Sequence, residues 1–292
     1  MNKNNLPEVF YMHFHEKPNT YVTNVEIKVS DLQRSLTFYQ EVIGFNVLHQ
    51  ESHKATLTAD GHTALLTIVQ PDTVEEKLSM TTGLYHFALL LPTRRDLANI
   101  ITHFHEKGVY LGASDHAVSE ALYLNDPDHN GIEVYADRPE NVWDWHQDQV
   151  NMVTEPLNIR SILEEGDGNW DGLPSGTVMG HIHLSVSNLA EAEQFYTKGL
   201  GYDIVARYGS QALFISTGRY HHHIGLNTWH SENAPKLGEN QVGLKTFSLR
   251  LDNEEQASMM KANLRTIGAR VIDIDGGFQT EDPAGNVVLL KF

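Results

Sequence analysis

Residues 27–45 read IKVSDLQRSLTFYQEVIGF, and residues 184–202 read LSVSNLAEAEQFYTKGLGY. At a constant offset of 157 positions, Val29/Val186, Ser30/Ser187, Leu32/Leu189, Phe38/Phe195, Tyr39/Tyr196 and Gly44/Gly201 coincide. Such agreement marks an internal duplication, and a repeat governs every later inference about the fold. Each stretch also makes the same physical sense. An alternating strand (Val25, Ile27, Val29) leads into Ser-Asp or Ser-Asn, which offers an N-cap to a helix with Leu, Phe and Tyr on one face. Gly44-Phe45 and Gly201-Tyr202 then stop the helix.

A second, fainter pair lies outside the first. HFALLL at 86–91 answers TFSLRL at 246–251, and GV at 108–109 answers GA at 268–269. YLNDPDHNGIEVY at 123–135 answers QTEDPAGNVVLLK at 279–291. In both, Asp-Pro-x-x-Asn marks a tight turn before a closing strand. The chain therefore divides into four β-α-β-β-β modules at roughly 20–71, 80–137, 178–230 and 241–292, an α+β pattern. Modules one and two make up 20–137, and modules three and four 178–292. Between them, 138–177 is acidic and rich in Gly and Trp, and reads as a linker with one short helix near Ile159–Glu165.

Composition narrows the functional classes. The 292 residues suffice for two units of ~150, and 40% hydrophobic with 20% charged content suits a packed core. No apolar run approaches the ~20 residues of a membrane span. The N-terminal MNKNNLPEVFYMHFHEK lacks the apolar stretch of a secretory signal, so a cytoplasmic location is expected. The net charge of −17, from 21 basic and 38 acidic residues, repels nucleic acid and anionic membranes, so neither is an expected partner. There is no cysteine but there are 17 histidines, so any transition-metal site must use imidazole and carboxylate.

The four modules resemble the vicinal oxygen chelate superfamily, whose paired β-α-β-β-β units curl into open cups around a metal. The two-domain length resembles the extradiol ring-cleaving dioxygenases of the catechol 2,3-dioxygenase kind. HAVSEALYLNDPDHNGIE at 116–133 is similar to their signature: His116, then Leu122 and Tyr123, the Asp126-Pro127 turn and Glu133. It departs from it at Ser114 and at His129, where glycine is usual.

The resemblance selects His86, His181 and Glu133 as metal ligands. The corresponding first-strand positions in modules one and four are Asn24 and Thr246, and the carboxylate position in module four is Leu289. A lone histidine in a strand is most often structural, and a glutamate after a turn most often solvated; the motif context raises these three above that background. Two imidazoles and a carboxylate form the facial triad that suits Fe(II), with Mn, Zn or Ni as alternatives. The bound charge of +1 is one that a catecholate can offset. Because the ligands fall in modules two and three, those two are expected to share the metal-bearing cup, with modules one and four forming the other. Ligands meeting across a subunit boundary would be the alternative. Fused-module proteins often assemble further, which leaves a homo-oligomer open.

The same resemblance gives further roles. In Tyr220-His221-His222-His223-Ile224-Gly225-Leu226-Asn227 it picks His222 as acid–base catalyst. Strand alternation would put His221 and His223 on the face opposite His222. His116 and Tyr123 would donate hydrogen bonds to substrate or oxygen, and His183 would line the pocket. His103 and His105 read as surface residues, and His13 and His15 have no nameable partner. The implied reaction is cleavage of a small aromatic diol by O2 outside the diol, giving a 2-hydroxymuconic semialdehyde-type product. A glyoxalase-type lyase or isomerase on the same scaffold, commonly with a fourth protein ligand, is the alternative, and a metal-free binding protein a third.

Overall fold

The computed structural model describes residues 13–75 and 80–292. Module one contains β1 (Val22–Lys28), α1 (Leu32–Phe38), β2 (Asn46–Gln50), β3 (Lys54–Thr58) and β4 (Leu66–Val69). Module two contains β5 (Gly83–Leu90), α2 (Arg94–Glu106), β6 (Gly112–Asp115), β7 (Ser119–Asn125) and β8 (Gly131–Asp137). The connecting segment holds the small hairpin β9 (Trp145–His146) and β10 (Gln149–Val150), then α3 (Ile159–Leu163). Module three contains β11 (Val178–Ser185), α4 (Leu189–Gln194), β12 (Asp203–Tyr208), β13 (Ala212–Ser216) and β14 (Ile224–Asn227). Module four contains β15 (Gly243–Arg250), α5 (Glu254–Thr266), β16 (Val271–Ile274), β17 (Gly277–Glu281) and β18 (Val287–Lys291).

Two eight-stranded sheets result, the paired cups of the expected fold class. One runs β16-β17-β18-β15-β1-β4-β3-β2 and the other β12-β13-β14-β11-β5-β8-β7-β6. Within each module the first strand is parallel to the last, and the remaining pairs are antiparallel. The central joints are antiparallel: β1 to β15, and β5 to β11. Modules two and three thus share one sheet, and modules one and four the other, as the distribution of imidazoles along the sequence implies.

The local signals act as read. The Asp31 carboxylate accepts from the Arg34 amide at 2.9 Å, and Asn188 Oδ1 accepts from the amides of Ala190 and Glu191. Gly44 sits at φ 92°, a left-handed conformation that costs glycine nothing. One feature differs from the reading: α1 and α4 continue as π-helical turns, Tyr39–Ile43 and Phe195–Gly199. These turns begin where the chain makes long-range bonds. The buried hydroxyls of Tyr39 and Tyr196 donate to Asp126 and Asp282, each at 2.9 Å. Those aspartates open the Asp-Pro turns, and each also accepts two bonds from Asn130 or Asn286. A helix in each odd module is thereby tied to the turn of the even module that follows.

Strand alternation separates two faces. Phe87, Leu89, Ile132, Val134, Ile182 and Leu184 enter the main core, which is one cluster drawn from all four modules. On the opposite face of the same strands lie His86, Ala88, Glu133, Tyr135, His181 and His183. The connecting segment also packs firmly. Trp143 and Val150 join Phe14, Val118, Val205 and Tyr220, while Ile162 reaches the main core. Trp170 stacks on His103 at 4.9 Å, so His103 is buried rather than on the surface, with Nε2 donating to the Val42 carbonyl at 3.0 Å. His15 likewise gains partners, donating from Nε2 to the Gly180 carbonyl at 2.7 Å; the side chain of His13 lies outside the described residues. Among the described residues no helix is long and apolar enough to cross a membrane.

Candidate metal centre

The central joint of the second sheet builds the site. Across β7, β8, β5 and β11, the register places Tyr123, Glu133, Ala88 and His181 in one row. Glu133 and His181 stand two strands apart, about 10 Å at the backbone. Ala88 between them has no bulk to block their side chains, which lean together above it. In the adjacent row, Gly131, His86, His183 and Gly225 are neighbours. A Cβ on Gly131 would lie 3.0 Å from His86 Cβ and 2.1 Å from the Tyr85 carbonyl oxygen, so glycine there gives His86 its place.

The three expected ligands converge. Their donor atoms all lie within 4.8 Å of one another, and all three side chains are buried. Glu133 Oε2 is 2.9 Å from His86 Nε2 and 3.2 Å from His181 Nε2. Bonds near 2.1 Å at right angles set donors about 3 Å apart, so this spacing fits one cation. His86 Nε2 is buried and has no properly aligned hydrogen bond despite that proximity, which fits a nitrogen aimed at a cation and not at a carboxylate. Burial by itself pushes the Glu133 carboxyl up, but the facing His181 and His86 outweigh it and hold it well below its usual range. Burial also lowers His181, against the pull of Glu133. An ionised carboxylate and neutral imidazoles are the states a divalent metal requires.

The remaining expected residues surround this group. A cavity of about 810 Å³ opens on His86 and Glu133, and its walls include His116, Tyr123, His183 and His222. His183 accepts at Nε2 from Asn227 Nδ2 at 3.0 Å, and burial holds it well below its usual range. His222 stands with its ring 4.1 Å from that of His181. The histidine run is not in a strand: β14 begins only at Ile224, after a turn with Gly218 and Arg219 at positive φ. The strict alternation expected for it therefore fails, and His221 and His222 bond to each other, Nδ1 to Nδ1 at 2.8 Å.

That contact fixes proton positions. Asp137 Oδ1 accepts from His221 Nε2 at 2.8 Å, and its other oxygen accepts from the Tyr220 hydroxyl at 3.0 Å. A neutral His221 so bonded presents its Nδ1 lone pair, and His222 donates its Nδ1 proton to it. His222 Nε2 is left as the basic nitrogen. Asp137 and His221 were not singled out from the sequence, although Asp137 shares the face of Glu133 and Tyr135 at period two. His116 is held at both ring nitrogens: Nδ1 donates to the Val153 carbonyl at 2.7 Å, and Nε2 shares a 2.6 Å hydrogen bond with the Tyr123 hydroxyl. Both His116 and Tyr123 line the cavity, as expected of residues that meet a ligand, and they are bonded to each other there. Burial and the nearby Glu133 push the Tyr123 hydroxyl well above its usual range, so it keeps its proton. Met152, Val153 and Thr154 of the connecting segment complete the wall. His129, the departure from the signature, takes φ 62°, the conformation for which glycine is usual.

Comparisons with known proteins agree with this architecture. The family model described as Glyoxalase/Bleomycin resistance protein/Dioxygenase superfamily matches residues 21–134 and 178–290. The chain is 43% identical over 275 residues to a Catechol-2,3-dioxygenase of Bacillus subtilis (strain 168), covering 93% of this chain and 96% of the relative. It is 27% identical over 152 residues to Biphenyl-2,3-diol 1,2-dioxygenase 3 of Rhodococcus globerulus, covering 48% of this chain and 80% of the relative. Among solved structures, a putative dioxygenase from Bacillus subtilis superposes with a TM-score of 0.65 at 11% identity, over 93% of this chain and 84% of the other. Glyoxalase I from Zea mays superposes with a TM-score of 0.57 at 14% identity, over 93% and 92%. At those identities the superpositions speak for the fold alone.

Proposed function

Because the chain belongs to the Glyoxalase/Bleomycin resistance protein/Dioxygenase superfamily, and given its catechol-2,3-dioxygenase relative, we propose that it is an Fe(II)-dependent extradiol dioxygenase. It cleaves a catechol-type diol with O2 to a 2-hydroxymuconic semialdehyde-type product. The observation that carries this reading is the convergence of His86, His181 and Glu133, with His86 and Glu133 lining a cavity.

In the proposed site, His86 Nε2, His181 Nε2 and a Glu133 oxygen hold the iron. When bound, Fe(II) supplies Lewis acidity, a template for both diol oxygens and the redox chemistry that lets an aromatic ring react with O2. Three protein donors leave coordination room for those oxygens. His222 takes a diol proton at Nε2, its Nδ1 proton being committed to His221. The Asp137 carboxylate stabilises the charge that then develops along the two imidazoles, because it faces His221 Nε2 at 2.8 Å. Tyr123, which stays protonated, orients an oxygen of the substrate or product, and His116 fixes the direction of its hydroxyl. His183 forms a wall beside the ring.

A non-redox lyase or isomerase using Zn, Ni or Mn is less favoured, since the metal-competent group among the described residues has three members and no fourth. The test is anaerobic reconstitution with Fe(II), followed by oxygen uptake and formation of yellow product from catechol. Stoichiometric iron with uptake matched to product supports the reading. Iron bound tightly without uptake on any diol would refute it.

A further inference from the structure

The cavity is larger than the chemistry at its floor requires. Its volume, about 810 Å³, lies in the range that holds drug-sized ligands. A single ring with two hydroxyls occupies only the end beside His86, Glu133 and Tyr123. The rest is bounded mainly by aromatic and apolar side chains. Tyr85, Phe214 and Trp229 stand around His183, with Tyr85 and Trp229 edge to face at 5.4 Å. Farther out, Tyr110 is 98% exposed and Tyr208 is 55% exposed, and both border this opening. Together with Tyr85 they are the exposed tyrosines among the described residues. Exposed aromatic surface gathered at one mouth calls for a ligand to cover it.

Charge points the same way. Among the residues lining the cavity there is no lysine or arginine, and Glu133 is the sole acid. The chain as a whole carries −17. A carboxylate entering this space would lose water and meet no cation, while an apolar group would lose little.

Resting on the extradiol reading, we propose that the diol this site accepts carries a bulky, uncharged apolar substituent, an aryl or extended alkyl group. Its diol sits over His86, Glu133 and His181, and its substituent lies between Phe214, Tyr85 and Trp229, with Tyr110 and Tyr208 closing the outer end. Bare catechol leaves the aromatic walls wet, and catechols bearing a carboxylate are rejected.

The test uses the iron-loaded enzyme with catechol, 3-phenylcatechol, a long-chain alkylcatechol and 3,4-dihydroxyphenylacetate. Anaerobic equilibrium binding orders the affinities independently of turnover, and oxygen uptake gives kcat/KM. The uncharged bulky diols should bind roughly tenfold to a hundredfold more tightly than catechol, the gain expected for burying a group of that size. The carboxylate should bind at least about tenfold more weakly. The aryl and alkyl arms show which shape the walls prefer. Trp229→Ala should reduce the ratio of bulky-diol to catechol kcat/KM by about tenfold, and Met152→Lys should shift preference toward the carboxylate. Equal affinity for catechol and 3-phenylcatechol, or preference for the carboxylate in the unaltered protein, would overturn the proposal. Ordered anaerobic affinities without oxygen uptake would uphold the substrate class and overturn only the oxygenase reading.

Discussion

Gly180 offers the sharpest test of how the sheet aims its ligands. It precedes His181 on β11 and faces Tyr135 on β8, the strand that carries Glu133. A Cβ placed there would lie 2.1 Å from the Tyr135 hydroxyl oxygen and 2.7 Å from two ring carbons, whereas ordinary contacts begin at 3.4 Å. Tyr135 cannot swing aside. It is fully buried, its ring is 4.9 Å from His181, and its hydroxyl is 2.8 Å from that of Tyr220. On the other side, the Gly180 carbonyl is held by His15. Gly180→Ala must therefore displace β11 from the Tyr135 side chain, which reaches across β5, by more than an ångström at that point. Overpacking of this kind costs about 1–3 kcal/mol and lowers the melting temperature by several degrees. The same displacement moves His181 relative to Glu133, so metal affinity should fall by at least about tenfold. Tyr135→Phe removes the nearest clashing atom but leaves the 2.7 Å contacts. The double variant should thus recover part of the loss, a coupling of about 1 kcal/mol in a double-mutant cycle. Thermal unfolding and equilibrium titration with a divalent metal read both quantities. Wild-type stability and metal affinity in Gly180→Ala would refute the idea that this packing sets the ligand geometry.

Glu133→Gln keeps the shape of the side chain but removes its charge; metal content after reconstitution should drop to background, while circular dichroism shows an intact fold. Asp137→Asn should lower kcat by about tenfold or more with metal content unchanged, because the neutral amide stabilises a protonated His221–His222 pair less well; an unaltered kcat would remove that pair from the mechanism. Burial lowers His15 from 6.5 to about 4, so between those values the unfolded chain binds more protons than the folded one. Its contribution is present above pH 6.5 and is lost as pH falls toward 4, a loss of about 3 kcal/mol. Urea midpoints at several pH values, compared between the wild type and His15→Asn, should show a shallower acid dependence in the variant. Tyr196→Phe leaves Asp282 buried with one donor fewer and should cost about 1–3 kcal/mol, read as a lower urea midpoint at unchanged m-value.

What could be read from the sequence was what local chemistry decides. Asp31 and Asn188 cap, Gly44 turns left-handed, and the Asp-Pro turns sit where the repeats place them, because each depends on atoms a few residues away. The ligand set was legible because its three members occupy repeat positions that modules one and four fill with Asn24, Thr246 and Leu289. The pairing of modules two and three followed from that uneven distribution. What escaped depends on distant partners. His103 is buried against Trp170 and the Val42 carbonyl, both far from it in sequence. His15 finds the carbonyl of a residue 165 positions away. The histidine run leaves strand geometry because Gly218 and Arg219 turn the chain just before it, and its link to Asp137 spans two modules.

The cross-wise joining of the repeats also orders the events of synthesis. Strand β5 emerges from the ribosome with His86, and β8 follows with Glu133 and pairs with it, yet the other edge of β5 has no neighbour until β11 brings His181. The catalytic cup can close once Asn227 has been made. The other cup, which owns β1, must wait for β15 and β18. The opening strand of the described fold can pair with β4 early, but its other edge meets β15 only near the end of synthesis, and through that interval that edge is left unpaired.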